Sequence, residues 1–191
     1  MKKLTIIFAI VIGFSQLCYS QTTTQKTTAT PNSFLDFKLG AKLSDFLAKN
    51  TDATEGTFWV LHTDISAKGM KVYTVKRQTS AGDNVQIDCC FYNDILSIIS
   101  VEYSGWQSGK DLLTALKGKY GAYTSYDSYE WKDFMNGQYR TTETVYWKKP
   151  TCILNFLYTR QLGLAELVFA DKAVQQKLEA EKQKNNAKKI D

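Results

Sequence analysis

One pattern, met twice, constrains this chain more than anything else in it. A short amphipathic helix signature is followed by four strand-like runs, and the same order returns further on. In the first copy, Leu43, Phe46 and Leu47 share one helical face within residues 40–50. Strand-like runs then fall at 57–63, 70–79, 84–92 and 95–103. In the third of these, Val85, Ile87, Cys89 and Phe91 alternate with polar residues, as a strand with one buried face requires. Asn93-Asp94 reads as a tight hairpin turn. Ile98-Ile99 breaks the alternation, which predicts a bulge or burial on both faces.

In the second copy Ser108 can cap a helix with Leu112, Leu113 and Leu116 as its stripe, ending near Gly118 to Gly121. Runs at 125–132, 139–148, 151–159 and 163–170 follow, separated by the turn signals Asn136-Gly137, Lys149-Pro150 and Gln161-Leu162-Gly163. The helices start at 41 and 108 and the third strands at 84 and 151, an offset of 67 residues in both cases. The expected fold is α+β: two tandem α-β4 halves, 34–105 and 106–171, sharing one antiparallel sheet with helices packed on one face. Neither half covers its own sheet, so 34–171 reads as a single domain. Residues 172–191 hold good helix formers but a thin stripe of Val174 and Leu178. They predict a helix that docks by its first turns and frays near Asn185-Asn186.

Ahead of this domain, Lys2 and Lys3 precede an apolar stretch from Leu4 to Leu17, too short to span a bilayer comfortably. Cys18-Tyr19-Ser20 then offers small residues where signal peptidase reads. Residues 1–20 are therefore expected to be an export signal, with a periplasmic or secreted chain starting at Gln21. Lipidation at Cys18 is the competing reading, and the bulk of Leu17 weighs against it. Residues 21–33 form a threonine-rich leader with no apolar period. Past the signal, no apolar run is long enough for a transmembrane segment. The chain has 24 Lys+Arg against 19 Asp+Glu, an excess too small and too scattered to argue for nucleic acid.

Chemistry is sparse. Cys89, Cys90 and Cys152 read first as reduced, partly buried thiols. A disulfide from Cys152 to Cys89 or Cys90, or a redox-active Cys90, are the other readings. No Cys or His spacing suggests a metal, and no cofactor motif is present. His62 is the single histidine, and Asp64 shares its strand face. A polar residue near a strand end explains it more simply than acid–base work does. Asp127 and Asp133 alternate onto the face of Tyr129 and Trp131, the elements of a carbohydrate-binding or glycan-cleaving site. Charged residues also decorate the open face of any antiparallel sheet. The second half is dense in aromatics, and Tyr129, Trp131, Tyr146 and Trp147 are the candidate binding residues. Cross-strand packing is the plainer account of the same rings.

The stretch Leu39-Gly40-Ala41-Lys42-Leu43-Ser44-Asp45-Phe46-Leu47 resembles the glycine-then-short-helix start of several small exported bacterial modules. These include the small lipoprotein of the outer-membrane β-barrel assembly machine and the repeats of β-lactamase inhibitor protein. Leu112 to Gly121, with the later Trp147, is similar to helix-then-KYG-then-strand segments of other exported proteins. The tandem layout most resembles the inhibitor protein, over 34–171. Those relatives act by binding proteins, so the resemblance implies binding over catalysis. With the export signal and the aromatic residues, the expected function is a non-catalytic module that binds a protein or peptide of the cell envelope, with a glycan as the less favoured ligand.

Overall fold

The computed structural model describes residues 29–56, 70–79, 82–104, 108–133 and 135–187. The export-signal segment with Cys18, the expected strand at 57–63 with His62 and Asp64, and residues 188–191 lie outside the described residues. A small hairpin opens the fold, with β1 (Ser33–Phe34) paired to β2 (Phe37–Lys38). Order starts upstream of it: the Ala29 N–H donates to the Lys119 carbonyl at 3.3 Å, and Leu39 N–H to the Asn32 carbonyl at 2.9 Å.

Among the described residues the main sheet has eight strands, all antiparallel: β3 (Thr54–Gly56), β4 (Met70–Gln78), β5 (Asn84–Tyr92), β6 (Ile95–Ser104), β7 (Ser125–Lys132), β8 (Tyr139–Lys148), β9 (Cys152–Thr159) and β10 (Leu164–Asp171). Their spatial order is β3-β4-β5-β6-β10-β9-β8-β7. Hairpins therefore step inward from each edge and meet where β6 pairs β10, from Leu164 opposite Ser104 to Ala170 opposite Ile98. The β5–β6 turn uses Asn93 and Asp94, both with φ near +55°, the left-handed pair that a two-residue hairpin needs (φ 51° and 61°). The register shifts between Cys90 and Phe91, placing the bulge beside the Ile98-Ile99 pair.

The first sheet face carries the main core: Val75, Ile87, Cys89, Phe91, Ile99, Val101, Trp147, Leu154, Phe156, Leu167 and Phe169 are all buried there. Two helices cover it, α1 (Leu43–Lys49) through Leu43 and Phe46, and α2 (Ser108–Tyr120) through Leu116 and Tyr120. Gly109 lets α2 approach closely, since a Cβ there would collide with the Tyr158 ring. Gly121 ends α2 at φ +81°, its N–H bonded to the Lys117 carbonyl at 3.0 Å.

The helices α1 and α2 lie on one face, but the second face, expected to stay open, is not bare. α3 (Lys172–Ala187) docks on it through Leu178, against Val72, Cys90, Ile98, Val168 and Ala170. The cause is a run of apolar residues at alternate positions on four neighbouring strands, which leaves a patch that water would otherwise wet. Asp171 aims α3, its Oδ1 accepting the Val174 N–H at 3.0 Å as an N-cap. Among the described residues, no helix is long and apolar enough to cross a membrane.

Candidate functional site

α3 covers only part of the second face. The cross-strand register places Asp88, Ser100, Glu102, Glu166, Leu157, Thr159, Thr142, Thr144, Tyr146, Asp127, Tyr129 and Trp131 on that same face, running outward from β5 to the β7 edge. Two features share this field: a strip of half-exposed aromatic rings at the edge, and a group of carboxylates at the centre.

The strip belongs to the β7–β8 hairpin. Tyr129 stands opposite Thr142, Trp131 opposite Arg140, and Tyr146 opposite Ser125. The rings roof two buried threonines. Trp131 Nε1 donates to Thr142 Oγ1 at 3.0 Å, and the Thr142 and Thr159 hydroxyls share a bond of 2.8 Å. Burial pushes both the Tyr129 and Tyr146 phenols up. Tyr129 keeps 36% of its surface exposed and Tyr126, on the opposite face of the same strand, 52%. The β7 strand is an edge, and Asp127 Oδ1 occupies the Ser128 N–H at 2.8 Å.

Trp147 does not belong to this strip. It is fully buried on the first face, its Nε1 donating to the Gly121 carbonyl at 2.9 Å and its ring edge-on to Tyr120 and Tyr123. Alternation explains the correction: Tyr146 and Trp147 are neighbours on one strand and face opposite ways. Asp133 is likewise committed. Its Oδ2 takes both Arg140 Nε at 2.9 Å and Nη2 at 2.7 Å, and Oδ1 takes the Met135 N–H. The Met135 N–H and then Arg140 hold its carboxyl below the ordinary range, which is the wrong direction for a proton donor.

The three cysteines are buried as free thiols. Cys152 on β9 is separated from β5 by β6 and β10, three strand spacings or roughly 14 Å. A disulfide needs Cα atoms within about 7 Å, so Cys152 bridges neither Cys89 nor Cys90. Burial raises the Cys89 thiol to about 12 and pushes Cys90 well above its usual value. A nucleophilic thiolate needs the opposite shift. Cys90 is a packing residue under α3.

Glu166 is the residue that sequence reasoning missed. It is 3% exposed, and Ser100 Oγ donates to its Oε1 at 2.7 Å, while Oε2 is buried with no hydrogen-bond partner. Desolvation raises its carboxyl to about 7, with Glu102 and Asp88 adding to the shift. Glu102 lies directly opposite it in the β6–β10 ladder, and Asp88 takes the Thr74 hydroxyl at 2.6 Å. A cavity of about 170 Å³ opens here, lined by Glu102, Glu166, Thr142, Thr159, Leu157 and Leu164. A shallower groove of about 580 Å³, lined by Lys76, Gln86 and Glu102, adjoins it. The only hint in the sequence was a lone acid inside the apolar run LAELVFA. Among the described residues, no group of three or more His, Cys, Asp and Glu is placed to hold a metal ion.

No protein-family model, curated protein or solved structure matches this chain.

Proposed function

We propose that this chain is an exported, non-catalytic binding module of the bacterial cell envelope. Its partner is a protein or peptide that lies across the uncovered part of the second sheet face. The observation that carries this reading is the division of that face. Apolar residues are gathered under α3, and the remainder mixes half-exposed rings with polar groups, as interfaces do. Tyr129, Trp131 and Tyr146 supply rigid contact area with polar tips, the side chains that most often anchor a partner. Localisation outside the cytoplasm rests on the signal pattern of residues 1–20.

The same reading includes a duplicated architecture, with halves 34–105 and 106–171. The strand order supports it, because each half contributes four consecutive strands and its first helix precedes them. Two such halves joined at β6 and β10 produce one wide sheet, and the wide sheet provides the open field.

Site-specific photo-crosslinking tests the reading. A photoreactive phenylalanine analogue at Tyr129 should give a discrete polypeptide adduct from cell-envelope extract. The same probe at Leu47, exposed on α1 on the other side of the sheet, should not. Equal labelling from both positions, or none from Tyr129, would overturn it.

A further inference from the structure

The Glu166 cavity has an arrangement that costs the fold stability and that no ion pair among the described residues offsets. Two glutamates stand directly opposite each other in a ladder, where like charges repel, and Asp88 lies on the adjoining strand of the same face. One of the pair is buried with an oxygen left unbonded. A group in that state asks for a donor, and a carboxylate beside a second carboxylate asks for a positively charged one. The rest of the cavity suits the stem that would carry the charge. Leu157 and Leu164 provide apolar wall, and Thr142 and Thr159, bonded to each other, complete the lining.

We infer that this cavity is a receptor for one cationic side chain, a lysine or arginine of the bound polypeptide, with its charged head between Glu166 and Glu102. The inference rests on the binding reading above and deepens it, by naming what the partner inserts beside the aromatic strip. Glu166 Oε2 accepts one N–H of the cation, Glu102 at the mouth accepts another, and the alkyl stem lies along Leu157 and Leu164. At the mildly alkaline pH where both carboxyls are ionised, the bound cation also offsets the Glu102–Glu166 repulsion.

The test uses the full exported chain and simple probes. n-Butylammonium and n-propylguanidinium stand in for the two side chains, and n-butanol is the neutral control. Methyl NMR shifts at Leu157 and Leu164 report occupancy at mildly alkaline pH. Both cations should saturate these shifts, and butanol should not. Glu166→Gln should weaken the cations by about tenfold or more, the scale of one charge-assisted hydrogen bond. Glu102→Gln, a change at a solvent-exposed position that leaves folding intact, should weaken them as well. Butanol binding as tightly as the cations, unshifted Leu157 and Leu164, or both variants binding like the parent would overturn the inference. The partner is tested separately. Cation binding with no adduct at position 129 would keep the receptor and remove the polypeptide. An adduct at 129 that Glu166→Gln leaves untouched would remove the receptor from the interface.

Discussion

Glu166 shows how one side chain can set the pH behaviour of a fold. Its carboxyl ionises near 4.5 in an open chain and near 7 when buried here. The folded state therefore holds a proton that the unfolded chain has released. Stability from this group is complete below about pH 4.5, falls as pH rises toward 7, and levels off above it. The full loss is on the order of 3 kcal/mol. Asp133 and Asp52 have the opposite sign, being held below 3.8, and act only at more acid pH. Urea unfolding at a series of pH values should show the decline in the parent and a much shallower one in Glu166→Gln, where Glu102, also raised by burial, still contributes. The variant should also be the more stable form at neutral pH. An equal slope in both would mean that Glu166 is not buried as described. On the first face, Trp147→Ala should cost about 3–5 kcal/mol, as large core truncations do. Trp131→Ala, half-exposed on the other face, should cost far less by the same chemical denaturation.

At the scale of elements, α3 is held by its cap, the apolar contact of Leu178 and Lys177 lying over the Tyr92 ring at 4.9 Å, so a few side chains keep it in place. Asp171→Ala removes the cap and should cost about 1 kcal/mol. Leu178→Asp should lift the helix from its patch and expose the thiol beneath. Alkylation of Cys90 should then quicken sharply, while Cys89 on the sealed face stays slow. Unchanged Cys90 reactivity would mean that α3 does not protect this side. The elements also show what alternation can and cannot reveal. Residues 84–92, 125–132 and 139–148 read as strands from the sequence and are β5, β7 and β8, since polar and apolar residues alternate over at least part of each run. The α3 patch was hidden because Cys90, Ile98 and Val168 sit in runs buried on both faces, where that period vanishes. Glu166 was hidden for the converse reason. Alternation puts it on the second face, and packing from Leu157 directly opposite on β9, with Thr159 and Thr142 beyond it, encloses it there.

At the scale of the molecule, the seam between β6 and β10 joins chain segments more than sixty residues apart, as Ser100 and Glu166 illustrate (a separation of 66). The main core crosses that seam, with Ile99 and Val101 on one side and Leu167 and Phe169 on the other. A chain ending near residue 105 would leave those side chains wet and should show no cooperative thermal transition, as judged by circular dichroism. The wider consequence is a sheet with one sealed face and one divided face, and the proposed binding surface is the part of the second that α3 leaves uncovered. Hydroxyl-radical footprinting of the intact chain measures that division directly, ring by ring. Among the rings of the second face, Tyr129 should oxidise fastest and Trp131 and Tyr146 more slowly, while Trp147 and Tyr120 should be protected until global unfolding. Oxidation of Trp147 at a rate matching Trp131 would contradict the account.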